Sequence, residues 1–379
     1  MKKIKIMTVF GTRPEAIKMA PLVLELKKHP EIETITTVTA QHREMLDQVL
    51  DIFKITPDYD LNIMHRGQTL TDITVEVLNQ LRDVLQKEKP DMILTHGDTT
   101  TTFAASLAAF YEKIAIGHVE AGLRTWNKYS PYPEEMNRQM TDALSDLYFA
   151  PTEQSKQNLL KENHPEKEIF VTGNTAIDAL KQTVQENYHH DVLDEINPEN
   201  KVILVTMHRR ENQGQPMHQV FKAIRKVVDQ EPNVEVIYPV HLSPAVQKAA
   251  HEELGGDPRI HLIDPLDVVD FHNLAAKSDF IMTDSGGVQE EAPALGKPVL
   301  VLRDTTERPE GIKAGTLKLV GTDPKNVEKW MNKLLHDQAI YDEMSHARNP
   351  YGDGEASRRI VEAIKYHFGL QDHRPEEFK

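Results

Sequence analysis

Short apolar runs with the composition of buried strands alternate with helical patterns along the whole chain, and halfway along the alternation starts again. In the first half, residues 3–10, 32–39, 92–95, 114–119, 147–150 and 169–171 read as strands. Helical patterns over 14–28, 70–87, 99–111 and 134–144 fall between them, the first with Pro14 at its opening position. At Lys201 the pattern restarts, with strands at 202–206, 234–239, 260–263, 280–283 and 298–302. Strand and helix in regular alternation build parallel sheets covered on both faces. The chain is therefore expected to be α/β, with two Rossmann-like, doubly wound domains meeting near residues 173–177. The first covers 1–173 and the second 174–355. A helix over 356–368 can return to either half. The charged stretch 186–200 reads as surface connection, and the tail after Gly369 is expected to fray.

Length agrees, because 379 residues exceed what one core usually serves. A formal charge of −15, with no basic run, makes nucleic acid and anionic membrane poor partners. Any phosphate site must then be local, made by a few arginines. No apolar stretch nears the roughly 20 residues of a membrane span. The N-terminal apolar run is short and broken by Lys5, so it reads as a first buried strand and not a secretion signal. With no cysteine, disulfides, thiolate metal sites and cysteine nucleophiles are excluded, which fits a reducing cytoplasm.

In an open α/β sheet, ligands bind beyond the carboxyl ends of the strands. Polar residues gather at those positions in both halves: Arg13, Gln41, Asp98, Glu120, His208, Asp284 and Ser285. If the two edges face each other, they line one interdomain cleft. The sharpest of these turns is Asp284-Ser285-Gly286-Gly287, between a strand and a helical pattern over 288–295 that Gly296 and Pro298 end. Two glycines admit a ligand to the backbone, and a helix start offers free N–H groups to a phosphate. A tight turn without a ligand is the bland alternative. Arg13 either gives a bidentate charge to a phosphate or pairs with Glu15 on the surface. His208, Arg209 and Arg210 close the first strand of the second half, where they suit an anionic leaving group or satisfy loop carbonyls. Glu290 and Glu291 follow the Ser-Gly-Gly turn and either serve the helix dipole or accept a ribose's hydroxyls.

Asp98, Glu120 and Glu134 are the carboxylates that could divide acid and base work, or act as caps and ion-pair partners. No Gly-x-Gly-x-x-Gly follows a strand, no P-loop motif occurs and there is no His-Glu-x-x-His. A nicotinamide cofactor, a P-loop nucleotide site and a catalytic metal are accordingly not expected.

The motifs FGTRPEAIKMAPL, HGDTTTTFA, HVEAGLRT, SPYPEEMNR, MHRREN and TDSGGVQEEAPALGKPVLVLRDTTERPE, in this order over nearly the full length, resemble the bacterial non-hydrolysing UDP-N-acetylglucosamine 2-epimerases. The resemblance implies a GT-B-like architecture, with the C-terminal segment 356–379 crossing back onto the N-terminal domain. It implies reversible conversion of UDP-N-acetylglucosamine to UDP-N-acetylmannosamine, by elimination of UDP to 2-acetamidoglucal and re-addition, without cofactor or metal. It assigns Arg13, Lys18, His208, Phe271, Ser285, Gly286, Gly287, Glu291 and Arg308 to the nucleotide, and Asp98, Glu120, Glu134 and His208 to catalysis. It further implies a homodimer supplying mannosamine for cell-surface polysaccharide. A second, activating UDP-N-acetylglucosamine would meet Gln41, His42, Arg66, Gln68, Glu134, Arg209 and Arg210. A GT-B UDP-sugar glycosyltransferase and a hydrolysing 2-epimerase are the alternatives.

Overall fold

The structure, a computed structural model, describes residues 3–40, 43–65, 67–306 and 308–379, apart from the side chains of residues 43–45. It divides into two units, residues 1–181 with 352–379, and residues 182–351.

The first unit holds a parallel sheet of β1 (Ile4–Phe10), β2 (Ile32–Val38), β3 (Tyr59–Asp60), β4 (Met92–His96), β5 (Ala115–Val119), β6 (Leu147–Ala150) and β7 (Ile169–Val171). Their order across the sheet is β3-β2-β1-β4-β5-β6-β7. Successive residues of a strand point to opposite faces. Ile6 and Phe10 of β1 accordingly enter one core, and Met7 and Val9 the other. A strand apolar at both parities belongs in a sheet covered on both sides, as this one is. The second unit repeats the design with β8 (Lys201–Thr206), β9 (Val234–Pro239), β10 (Ile260–Ile263), β11 (Phe280–Thr283), β12 (Val299–Val301) and β13 (Leu317–Leu319). They lie in the order β10-β9-β8-β11-β12-β13, all parallel. Ile203 and Val205 of β8 face one core, and Val202 and Leu204 the other.

The helix Ala356–His367 packs on the helix Arg13–Lys27, and its Ile360, Val361, Ala363 and Ile364 share a core with Met19, Ala20 and Val23. Its start is anchored by buried Asp178, which accepts the N–H groups of Ala356 (3.2 Å) and Ser357 (2.7 Å). Asp178 lies on the helix Thr175–Thr183, whose Ala179 also belongs to that core, so the first unit runs past Gly173 to Lys181.

Three local expectations are corrected. The edge strands β3 and β13 escape the sequence pattern because two and three residues are too few to show a period. The C-terminal tail does not fray: the Phe378 N–H donates to the Val171 carbonyl (2.8 Å), and Arg374 lies over the Phe170 ring at 4.1 Å. The stretch 186–200 is not all surface, since Val192 and Ile196 are buried in the second unit.

Candidate active site

Each sheet has one point where the chain's progress across it reverses, between β1 and β4 in the first unit and between β8 and β11 in the second. Crevices open beyond the strand ends at such points. The turns after these four strands carry Arg13, Asp98, His208 and Ser285, four of the residues singled out by sequence.

In the first unit, the turn after β1 is held by buried Glu15. Glu15 is 2% exposed and accepts the N–H groups of Gly11 (3.1 Å) and Thr12 (2.7 Å) and the hydroxyls of Thr99 (2.8 Å) and Thr102 (3.1 Å). Thr12 and Glu15 form a capping box that starts the helix Arg13–Lys27, so the turn and its half-buried Arg13 are fixed together. Gly11 is required here, because a Cβ would stand 1.9 Å from Thr39 Oγ1.

One turn into that helix, Lys18 Nζ reaches Glu120 Oε2 at 2.5 Å. The same oxygen accepts from Asn174 Nδ2 (3.0 Å), and His96 Nε2 stands 3.6 Å away. Glu120 follows β5 with φ +67°, a left-handed conformation that costs a non-glycine residue about 1–3 kcal/mol and collects at functional sites. Burial works against the Glu120 charge, but Lys18 and His96 outweigh it and hold the carboxyl well below the ordinary carboxylate range. Asp98 is displaced the other way. Burial pushes its carboxyl up; Arg138 opposes that shift, and the charges of Glu120 and Glu134 add to it. Arg138 Nη2 lies 3.0 Å from Asp98 Oδ2, and Asn137 Nδ2 donates to the Asp98 carbonyl at 3.0 Å. Both come from the helix Glu134–Leu144, whose first residue is the half-buried Glu134. Glu135 is structural: it takes the N–H groups of Thr125 (3.0 Å) and Trp126 (2.9 Å). The three expected carboxylates thus lie in one electrostatic neighbourhood.

In the second unit, Asp284 organises the site. It is fully buried and accepts the N–H groups of His208 (3.1 Å) and Arg209 (2.9 Å) and Asn212 Nδ2 (2.9 Å). One carboxylate therefore ties the turn after β8 to the Ser-Gly-Gly turn. Burial pushes the His208 imidazole down, helped by His241 stacked 5.5 Å away and by Arg209, and opposed by Asp284. Ser285 caps the helix Gly286–Glu291 without a side-chain bond to it. The expected helix over 288–295 starts earlier, and Pro293 helps turn residues 292–295 into a 3₁₀ segment. Gln289 and Glu290 of this helix hold the loop that brings in Arg308. Thr306 Oγ1 donates to Gln289 Oε1 (2.6 Å), and Arg308 Nε lies 2.5 Å from buried Glu290 Oε1. Glu291 is set by buried His272, whose Nε2 is 3.4 Å from it and whose Nδ1 meets Thr183 Oγ1 at 2.7 Å. Phe271 precedes His272 and is half-buried. Arginine, histidine and a helix start gather here on one sheet edge, an arrangement suited to a diphosphate.

Among the described residues, no group of three or more histidines, aspartates and glutamates is placed to hold a metal ion, and no helix is long and apolar enough to cross a membrane. The family model for UDP-N-acetylglucosamine 2-epimerase matches residues 24–365. A UDP-N-acetylglucosamine 2-epimerase of Bacillus subtilis is 66% identical over 378 residues, covering 100% of this chain and 99% of that one. The chain belongs to the UDP-N-acetylglucosamine 2-epimerase family. A crystal structure of a UDP-N-acetylglucosamine 2-epimerase superposes with a TM-score of 0.94 over 100% of both chains, at 64% identity. That of the Neisseria meningitidis enzyme bound to UDP-GlcNAc superposes at 0.86, with 51% identity over 95% of this chain and 99% of that one. The fold class is the GT-B-like one these epimerases share.

Of the positions expected for an activating ligand in this family, Gln41, His42 and Arg66 lie outside the described residues. Gln68 Nε2 donates to the Ile63 carbonyl at 2.5 Å in the first unit, with Glu134 in the same unit. Arg209 and the exposed Arg210 lie in the second. Sequence reasoning passed over Glu15, Asn137, Arg138, Asn174, His272 and the hub function of Asp284. Arg138 had a signal, four residues after Glu134 on one helix face; Asn174 and His272 had none, because their partners are remote in sequence.

Proposed function

We propose that this epimerase interconverts UDP-N-acetylglucosamine and UDP-N-acetylmannosamine by breaking and remaking the C1–O bond to UDP. C2 of the sugar is not alpha to a carbonyl, so removing its proton alone would leave an unstabilised carbanion. If the C1–O electrons leave with UDP as the C2 proton departs, a C1=C2 double bond forms and the products are UDP and 2-acetamidoglucal. In the return, a UDP oxygen attacks C1 and a proton is delivered to the other face of C2.

The observation that carries this reading is the opposite displacement of Asp98 and Glu120. Neighbouring carboxyls pushed apart in this way divide their work. Asp98, whose carboxyl burial pushes up, is the group that takes and returns the C2 proton on one face, with Glu134 the candidate for the other. Glu120, held ionised by Lys18, stabilises the positive charge that develops at C1 as the bond breaks. In the second unit the Ser285–Gly287 amides, His208 and Arg308 meet the charge growing on the departing diphosphate; in the first, Arg13 is the residue assigned to the nucleotide. Glu291 takes the ribose hydroxyls, and Phe271 the uracil side.

The N. meningitidis relative's complex with UDP-GlcNAc supports the substrate. Activation by a second UDP-N-acetylglucosamine, through Gln68, Glu134, Arg209 and Arg210 with Gln41, His42 and Arg66, belongs to the same proposal. So do a homodimer, a cytoplasmic location and supply of mannosamine to a surface polysaccharide. Sigmoidal rate curves, sedimentation and cell fractionation test the first three.

The deciding experiment is incubation with UDP-N-acetylglucosamine in deuterated water, followed by NMR. Intact UDP-N-acetylmannosamine carrying deuterium at C2 is expected. Free sugar plus UDP would instead mean hydrolysis, and turnover without C2 label would rule out the elimination. Asp98→Asn should lose turnover and keep UDP binding, whereas Arg13→Ala should weaken UDP binding.

A further inference from the structure

His118 lies on β5, two residues before Glu120, and is fully buried. Its Nε2 stands 2.7 Å from the Gly97 carbonyl, and its Nδ1 2.6 Å from Asp142 Oδ1. A peptide carbonyl only accepts, so Nε2 carries a hydrogen. Asp142 is fully buried as well, and its Oδ2 accepts the Gly122 N–H (3.2 Å) and Arg124 Nη2 (2.7 Å). Burial works against the Asp142 charge, but His118 and Arg124 outweigh it and hold the carboxyl below the ordinary range. An ionised carboxylate only accepts, so Nδ1 carries a hydrogen too.

Gly97 and Gly122 are the ends of two separate turns. The Gly97 carbonyl belongs to the peptide that leads into Asp98, and Gly97 itself has φ +68°. Gly122 closes the turn that begins at Glu120. A single ring and its aspartate thus brace both turns that present the carboxyls assigned to the chemistry. The brace is closed off on its far side, where Arg124 also pairs with Glu162 (2.6 Å).

We propose that His118, donating from both ring nitrogens, is a positioning residue for proton transfer at C2, with Asp142 as the anchor that holds its ring. Its action is on Asp98: the Gly97 carbonyl is fixed by His118, the Asp98 carbonyl by Asn137 and the carboxylate by Arg138, so the acid is held from three directions. Misplacing a reacting group by about 1 Å can cost about 100-fold in rate. The ring hydrogen bonds of His118 go to Gly97 and Asp142 and to none of the residues proposed to bind the nucleotide, Arg13 among them. The inference deepens the reading of Asp98 as the proton-transferring acid and rests on it.

The test compares the full-length protein with His118→Gln and His118→Asn, neither of which can bridge both partners. Steady-state kinetics with UDP-N-acetylglucosamine should show kcat lowered about 10- to 100-fold, with KM and the Kd for UDP within about twofold. A kcat within twofold of the unaltered protein overturns the proposal, as does a loss confined to KM. Independently, two-bond ¹H–¹⁵N NMR of the unaltered protein should find hydrogens on both His118 ring nitrogens. A ring nitrogen without one overturns the proposal even if the variants fail to fold. Failure of the epimerase reading would appear separately, as absence of turnover in the unaltered protein with the doubly donating ring intact.

Discussion

Replacing Lys18 by Met removes the cation 2.5 Å from Glu120 while keeping the apolar stem of the side chain. The Lys18 and Glu120 side chains are 15% and 9% exposed, so this is a nearly buried pair. Stranding one partner of such a pair costs about 3–5 kcal/mol. Here Asn174 still donates at 3.0 Å, which puts the expected loss at the low end, about 3 kcal/mol at neutral pH. The sign with pH follows from the Glu120 shift. Its carboxyl is depressed in the fold, so its contribution to stability is present above the unfolded value near 4.5 and is lost as pH falls through the depressed one. Without Lys18, burial pushes the carboxyl up, and the variant's deficit should shrink as the pH is lowered through the carboxylate range. Hydrogen exchange followed by mass spectrometry can read this unit by unit. Amides of β1, β4 and β5 should exchange faster in the variant at neutral pH, and those of β8 and β11 should not change. A deficit that is absent at neutral pH, or equal at every pH, would refute the assignment of Lys18 as the group that holds Glu120 ionised.

Three further substitutions probe the rest of the site. Arg138→Met removes the cation that opposes the upward shift of Asp98, so the pH optimum of turnover should move to higher pH; an unmoved profile would dissociate Arg138 from Asp98. Asp284→Asn places an amide where three N–H donors converge on a buried carboxylate, and should weaken UDP binding about tenfold or more by calorimetry, in line with a lost buried partner. Unchanged affinity would show that the turn after β8 does not need this hub. Gly11→Ala should destabilise the first unit by about 1–3 kcal/mol through overpacking against Thr39. Adding Thr39→Ala should recover part of that loss, and full additivity in denaturation would speak against the clash.

The sheets were legible because their strands are apolar at both parities, as Ile6, Met7, Val9 and Phe10 show by filling two cores at once. β3 and β13 were not, because edge pairs so short carry no period. The placement of the candidate residues was legible where a strand end met a turn, as at Ser285–Gly287 after β11 and Asp98 after β4. The choice stayed open where a residue's chemistry suited two places. Glu15 stands two residues from Arg13 and invites an ion pair, yet its carboxylate closes the turn after β1 and receives Thr99 and Thr102 from 84 and 87 residues away. Glu290 and Glu291 are adjacent in sequence and point to different partners, Arg308 and His272, a distinction that helix geometry makes and composition does not. The opposite environments of Asp98 and Glu120 were equally out of reach, since burial pushes Asp98 up while Lys18 and His96 hold Glu120 down, and only the fold sets that burial and brings those cations in.

The central claim is that the C1–O bond to UDP breaks in every turnover. Positional isotope exchange tests it most directly, with UDP-N-acetylglucosamine carrying ¹⁸O at the oxygen that bridges C1 and the β-phosphorus. If UDP departs and rotates about that phosphorus before it returns, the label should spread from the bridging to the non-bridging β-phosphate positions, in the recovered substrate and in the epimer alike. Epimer formed with all of its ¹⁸O still in the bridge would contradict the account.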